Sequence, residues 1–99
     1  MTTDKATAAE IDNFLNAHPE WTVVENSLRR VFSFKNFREA FGFMAEAALI
    51  AERKNHHPDW SNVYNRVTVQ LTSHDAGGIS SKDFDLAQQM EKIVSRRQT

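Results

Sequence analysis

The 99-residue sequence contains no cysteine, only three glycines and two prolines, and no long apolar run. Without cysteine it can form neither a disulfide framework nor a thiolate metal site, and it has no cysteine nucleophile. No apolar stretch approaches the roughly 20 residues that cross a membrane. The polar residues 1–10 also lack the positive start and apolar run of a signal peptide. These absences favour a cytoplasmic protein without membrane contact.

An excess of charge of either sign is also missing. The chain has 12 Lys and Arg residues against 13 Asp and Glu residues, for a formal charge of -1. Tight binding of DNA or RNA depends on neutralising phosphates with surplus positive charge, so nucleic acid is not an expected partner. The P-loop, G-x-G-x-x-G and G-x-S-x-G motifs are absent, and Gly77-Gly78 alone indicates only a flexible turn.

The length predicts one domain over residues 1–99, because a single hydrophobic core normally organises about 100 to 150 residues. The sequence is 40% hydrophobic and includes seven Phe, which is enough for a core. Chains of this size bury a smaller fraction of their surface than larger ones. Self-association would therefore add stability.

The first half of the chain predicts a helix followed by a hairpin. Thr7 and Glu10 have the spacing of a capping box, and the helix should stop near His18-Pro19. The β-branched and aromatic segments 21–24 and 28–34 predict two strands, with a turn at Glu25-Asn26-Ser27.

The second half predicts a helix, a hairpin and a last helix. Residues 36 to about 55 have helical spacing of apolar residues, and Pro58 should close that helix. Residues 60–64 and 67–73 predict strands around a turn at Asn65-Arg66. Residues 74–78 are expected to form a loop before a helix that Ser80 or Ser81 caps.

The apolar residues of the middle helix form two stripes, so we expect it to contact both the sheet and another element. One stripe contains Phe37, Phe41, Met44, Ala48 and Ala51, and the other Phe43, Ala47 and Ile50. The full order is αββαββα. It predicts a two-layer α+β fold, with a four-stranded antiparallel sheet that has helices packed on one face.

Three of the four histidines lie at ends of predicted elements. His56 and His57 follow the middle helix and His74 follows a strand, and the hairpin between them can return the chain to the same place. Imidazole has an ordinary pKa of about 6.5, so it can donate or accept a proton near neutral pH. Two such groups on opposite sides of a substrate could act as acid and base.

Each candidate residue also has an ordinary structural interpretation. A histidine at a helix end is often a cap, and an acid such as Asp83 is favoured in a first turn. Trp60 could pack in the core, and Glu52 could belong to a solvated charged run. His18 is interpreted as structural only.

A zinc site is the sharpest competing hypothesis, since three histidines and a water form a familiar zinc site. His56 and His57 are adjacent, however, and lack the i, i+4 spacing of two ligands on one helix face. An H-E-x-x-H motif is also absent. The sequence therefore favours a site without a metal.

The segment from Glu52 to Asp83 resembles the signature of the pterin-4a-carbinolamine dehydratase family. The matching residues, in order, are Glu52, His56-His57-Pro58, Tyr64, His74 and Asp83. Residues 55–67 are especially similar, and the likeness extends from about Trp21 to Val94. The family's fold, a four-stranded antiparallel sheet with helices on one side, agrees with the fold predicted from periodicity.

The resemblance implies that His56, His57 and His74 are catalytic and that Glu52, Trp60 and Asp83 contribute to substrate binding. The implied reaction removes water from a 4a-hydroxytetrahydropterin without a metal or organic cofactor, in recycling the pterin of an aromatic amino acid hydroxylase. The family forms dimers or tetramers, so a homo-oligomer is expected. The alternative function is a dimerising interaction module, because the family includes a protein that stabilises a transcription factor's dimer.

Overall fold

The computed structural model describes residues 4–97; residues 1–3 of the polar start and residues 98–99 lie outside the described part. Its elements are α1 (Ala8–Ala17), β1 (Thr22–Val24), β2 (Ser27–Ser33), α2 (Phe37–Lys54), β3 (Asp59–Val63), β4 (Arg66–Leu71) and α3 (Ser81–Arg97). A short 3-10 turn, His74–Ala76, lies in the segment predicted as a loop. The predicted order αββαββα is confirmed.

The four strands form one antiparallel sheet in the order β1-β2-β4-β3. The two long central strands pair with Leu28 opposite Leu71 and Phe32 opposite Val67. Asp59 at the start of β3 lies opposite Gln70 near the end of β4. The segment before β3 and the segment after β4 therefore leave the sheet at the same end.

One face of the sheet packs against the helices. The apolar inward-pointing residues of β2 and β4 are buried: Leu28, Phe32, Val67, Val69 and Leu71. Leu86, Ala87, Met90, Ile93 and Val94, which share one face of α3, are buried in the same core. Residues of alternate register such as Val31 are exposed on the opposite face. The predicted two-layer α+β fold is confirmed. Within residues 4–97, no helix has the length and apolar character needed to cross a membrane.

Helix α2 buries only part of its apolar surface. It contacts β4 and α3, as expected of a helix with two stripes. Phe43 and Ala47 of the second stripe are fully buried, whereas Phe37 and Phe41 of the first are 48% and 56% exposed. The two exposed rings lie against each other, with centroids 5.6 Å apart. Ala48 of the first stripe is also exposed, whereas Met44 packs against the core and Ala51 is fully buried. Within residues 4–97, the first stripe therefore leaves an exposed apolar patch that contains Phe37 and Phe41.

The first hairpin turn is one residue shorter than predicted, and the second is displaced by one residue. The first contains Glu25 and Asn26, both at positive φ, and Ser27 already belongs to β2. The second contains Tyr64 and Asn65 instead of Asn65-Arg66. The Asn65 amide donates a hydrogen bond to the carbonyl of Phe34, 31 residues away, which fixes this turn from outside the hairpin.

Asn55, and not Pro58, ends helix α2. It adopts the left-handed conformation, with φ 53° and ψ 42°, and its N–H bonds to the carbonyl oxygens of Ala51 and Glu52. The N–H of His56 then bonds to the carbonyl of Ala51 at 3.0 Å. Asparagine tolerates this backbone better than most residues and often ends helices. The chain consequently changes direction immediately before the two histidines.

We predict that Asn55→Ala lowers the free energy of unfolding by about 1 kcal/mol, because alanine is strained in the left-handed region. Asn55→Gly should match or exceed wild-type stability, since glycine has no such strain. Urea unfolding followed by circular dichroism measures both. Asn16→Ala, on the exposed surface of α1, is the matched control and should be neutral or slightly stabilising. Wild-type stability of Asn55→Ala would contradict this account of the helix end.

Candidate active site

Asp83 is a fully buried carboxylate in the first turn of α3. Its Oδ2 accepts hydrogen bonds from the Ser73 hydroxyl and from the backbone N–H of Ser80, each at 2.9 Å. Its Oδ1 lies 2.6 Å from Nε2 of His56. A buried charge is tolerated only when such partners replace water. Both oxygens of Asp83 are therefore occupied by protein groups.

Asp83 also begins its own helix. Its Oδ2 accepts from the Ser80 N–H while the Ser80 hydroxyl accepts from the N–H of Lys82 at 3.2 Å. These two bonds cap the helix, because they satisfy N–H groups that a helix start otherwise leaves unpaired. Of the two predicted caps, Ser80 is the one used. The first-turn interpretation of Asp83 is confirmed, and the same carboxylate also contacts His56.

The bond to Asp83 determines which nitrogen of His56 can serve a substrate. A carboxylate only accepts hydrogen bonds, so Nε2 of His56 carries the hydrogen in this pair. The other ring nitrogen, Nδ1, is then the one that can exchange a proton with a ligand. The His56 side chain is 13% exposed, which leaves a small accessible part of the ring. His56 is thus a nearly buried imidazole held in one orientation.

His57 has a similar partner in a different environment. Its Nε2 lies 2.8 Å from Oε1 of Glu52, in the last turn of α2. The two side chains are 57% and 78% exposed. An exposed pair of this kind is weak, because water competes for both groups. Adjacent histidines are therefore held very differently, one rigidly and one loosely.

His74 lies at the same end of the sheet as His56 and His57. It begins the 3-10 turn after β4 and is exposed. Its neighbour Ser73 bonds to Asp83, which links this turn to the His56 pair. The structure thus brings His56 together with Asp83, and His57 together with Glu52. His74 is linked to the first pair by its neighbour Ser73, which bonds to Asp83. The prediction placed His74 at a strand end, but β4 ends at Leu71.

The two aromatic residues singled out in the sequence lie at opposite ends of β3. Trp60 is half-buried near the start of β3, opposite Val69, and packs against the core. Tyr64 follows the end of β3 in the hairpin turn and is 63% exposed. A strand of five residues spans about 16 Å. Trp60 therefore lies at the histidine end of the sheet, and Tyr64 lies at the other.

Ser73 is a site residue that the sequence prediction missed. It is 1% exposed. It continues the alternation of Val67, Val69 and Leu71, all of which point inward and are buried. A polar residue in the inward register of such a pattern requires a buried partner. That alternation is the signal that could have identified it.

The described residues contain no group of three or more metal-ligating side chains arranged to hold a metal ion. The zinc hypothesis therefore gains no geometric support from residues 4–97.

Comparisons with known proteins agree on one family. The family model for pterin 4 alpha carbinolamine dehydratase matches residues 4–93. The chain belongs to this dehydratase family. A candidate pterin-4-alpha-carbinolamine dehydratase from Rhodospirillum rubrum is 51% identical over 94 residues, covering 93% of this chain and 98% of the relative. A second, from Solibacter usitatus, is 50% identical over 93 residues, with 94% and 98% covered.

A solved structure of the dehydratase family supports the fold. It is the crystal structure described as a transcriptional coactivator/pterin dehydratase from Brucella melitensis. Its chain matches with a TM-score of 0.87 and 42% sequence identity, covering 91% of this chain and 98% of that one. The family resemblance and the fold predicted from the sequence are both confirmed.

We predict that the two carboxylates that contact histidines differ greatly in their effect on stability. Asp83→Ala should lower the free energy of unfolding by about 3 kcal/mol, because it removes a helix cap and leaves several buried donors unpaired. Glu52→Ala should change it by less than about 0.5 kcal/mol, since its pair is exposed. Urea unfolding of the two variants tests this directly. Similar losses of unfolding free energy in the two variants would show that the burial of Asp83 does not determine its effect on stability.

Proposed function

We propose that this chain is a hydro-lyase that converts a 4a-hydroxytetrahydropterin into quinonoid dihydropterin and water. The observation that carries the proposal is the buried Asp83–His56 pair, located at the end of the sheet where His57 and His74 also lie. Membership of the pterin dehydratase family supplies the substrate class.

The reaction needs one proton donor and one proton acceptor. In the substrate, the carbon that bears the hydroxyl group is bonded to ring nitrogen N5. An acid protonates the hydroxyl, the C–O bond breaks with the help of the N5 lone pair, and water leaves. A base then removes the proton from N5, so the sum of the steps is the loss of one water. Histidine suits both roles because its two protonation states are both accessible near neutral pH.

His56 is proposed to act through Nδ1, because Nε2 is bonded to Asp83. An imidazole fixed by a buried partner loses little freedom when the substrate binds, which lowers the entropic part of the barrier. His57 and His74 are exposed and are proposed to complete the acid and base functions. Opposite stereoisomers of the substrate could exchange the roles of donor and acceptor between the histidines.

Trp60 and Glu52 are proposed to contribute to binding. The half-buried indole of Trp60 offers an aromatic surface to a planar ring. Glu52 can accept hydrogen bonds from N–H groups of a pterin, and its side chain is 78% exposed. Asp83 is buried, so its proposed contribution to binding is indirect and passes through His56.

The test is stopped-flow absorbance of 4a-hydroxytetrahydropterin, generated by a hydroxylase, with and without this protein and with EDTA present. We expect acceleration that EDTA does not change. His74→Ala should reduce the rate by about 10²-fold or more, the range of positioned acid-base groups, and the His56→Ala, His57→Ala double variant should abolish it. Circular dichroism should show that both variants keep their secondary structure.

His18→Ala is the matched control, because His18 packs against Phe14 at the end of α1 and belongs to no proposed catalytic group. It should keep the wild-type rate. Well-folded protein without any acceleration would refute the dehydratase. Loss of activity with EDTA would restore the zinc hypothesis, and unchanged turnover by His74→Ala would remove His74 from the mechanism.

The alternative function is an interaction module. It is favoured by the exposed apolar face of α2, where Phe37 and Phe41 are 48% and 56% exposed. The related Brucella melitensis protein is described as both a coactivator and a dehydratase. Absence of catalysis in the stopped-flow assay would favour this alternative. Pterin recycling and a cytoplasmic location remain predictions.

We further propose that the chain forms a homo-oligomer through this exposed face of α2. The Phe37→Glu, Phe41→Glu double variant should shift the protein to a smaller species in sedimentation velocity, because two charges would be desolvated in the interface. Val31→Glu, on the exposed face of the central strand β2, is the charge-matched control and should keep the wild-type mass. An unchanged mass of the double variant would exclude α2 as the interface.

A further inference from the structure

Ser73 connects the segments that carry His56 and His74. Its hydroxyl bonds to Asp83, the partner of His56. Its N–H donates to the carbonyl of Gly78 at 2.9 Å, and its carbonyl accepts from the N–H groups of Ala76 and Gly77 at 3.1 and 3.0 Å. These backbone bonds close the turn that His74 begins. One residue therefore fixes the His74 turn by its backbone and reaches Asp83 by its side chain.

The direction of the hydrogen bonds around Ser73 follows from counting protons. Its single hydroxyl hydrogen goes to Oδ2 of Asp83. The Ser80 hydroxyl lies 2.6 Å from the Ser73 hydroxyl and must be the donor in that contact. The Ser80 oxygen accepts in turn from the N–H of Lys82. A chain of donors thus runs from a helix N–H group through two hydroxyls to the carboxylate, and each bond strengthens the next.

The hydroxyl of Ser73 restricts the orientation of Asp83. With bonds from Ser73 and from the Ser80 N–H, Oδ2 is held from two directions, which leaves Oδ1 aimed at His56. Ser73, Ser80 and Asp83 are 1%, 0% and 0% exposed, so water does not readily replace a lost bond. Without the Ser73 hydroxyl, the carboxylate would keep only one donor on Oδ2 and could rotate.

We propose that Ser73 is a positioning residue, whose hydroxyl fixes the Asp83 carboxylate so that His56 presents Nδ1 to the substrate. Its kinetic consequence rests on the dehydratase function proposed above. The orientation of His56 itself does not depend on that function and can be measured separately.

The spectroscopic test is nitrogen-15 NMR of the histidine side chains. In the wild-type protein we expect a slowly exchanging Nε2–H proton on His56, because that proton is bonded to a buried carboxylate. Ser73→Ala should accelerate its exchange about tenfold or more, in proportion to the loss of one hydrogen bond to a charged group. Ser73→Thr keeps the hydroxyl and should restore slow exchange, whereas Ser73→Val, of the same size as threonine, should not.

The kinetic test uses the same variants in the dehydration assay. Ser73→Ala should lower kcat by about tenfold, the effect expected of one such bond, with little change in KM because Ser73 is only 1% exposed. Thr7→Ala removes the hydroxyl that caps α1. The Thr7 hydroxyl takes no part in the hydrogen bonds that join Ser73, Asp83 and His56. This variant should therefore destabilise the protein and leave kcat and the His56 signal unchanged.

Retention of both the slow His56 proton and wild-type kcat in Ser73→Ala would overturn the proposal. An equal loss of kcat in Thr7→Ala would also overturn it, by showing that general destabilisation is sufficient. If the wild-type protein has no dehydratase activity, the proposed function fails, and the NMR comparison alone still decides whether Ser73 positions His56.

Discussion

The structure around the candidate site depends on the burial of one negative charge. Removing a carboxylate from water costs several kcal/mol unless other groups bond to it. The partners of Asp83 come from three places: the start of α3, the segment after β4 and the segment after α2. Satisfying this charge therefore requires all three segments to meet at one point. The same requirement brings two histidine-bearing segments to one end of the sheet.

The contrast between His56 and His57 shows how environment separates two identical, adjacent side chains. His56 is 13% exposed and bonded to a fully buried carboxylate, whereas His57 is 57% exposed and bonded to a glutamate that faces water. His56 is held in place before a ligand binds, whereas His57 can change its rotamer when a ligand binds. A reaction that gives one proton to a ring hydroxyl and takes another from the neighbouring ring nitrogen can use both kinds of group, one held in a fixed geometry and one able to adjust to the substrate.

The parts of the fold that depend on local sequence could be predicted. The capping box of Thr7 and Glu10 and the alternation in β4 required only neighbouring residues. The parts that depend on distant partners could not. Asn65 bonds to Phe34 across 31 residues and moves a turn by one position. The His56–Asp83 bond joins residues 27 apart, and the Ser73 hydroxyl acts only within that arrangement. Which stripe of α2 is buried likewise depends on where the sheet lies.

The double use of Asp83 has a consequence for how such a site can evolve. Functional groups are often held under strain, so replacing them commonly makes a protein more stable at the expense of activity. Asp83 reverses this relation, because the carboxylate that orients His56 also starts α3. A mutation that removes Asp83 loses both the orientation of His56 and the start of α3, so it cannot gain stability at the expense of activity. Selection for a folded chain alone would therefore preserve an oriented His56, even in a descendant that no longer used it.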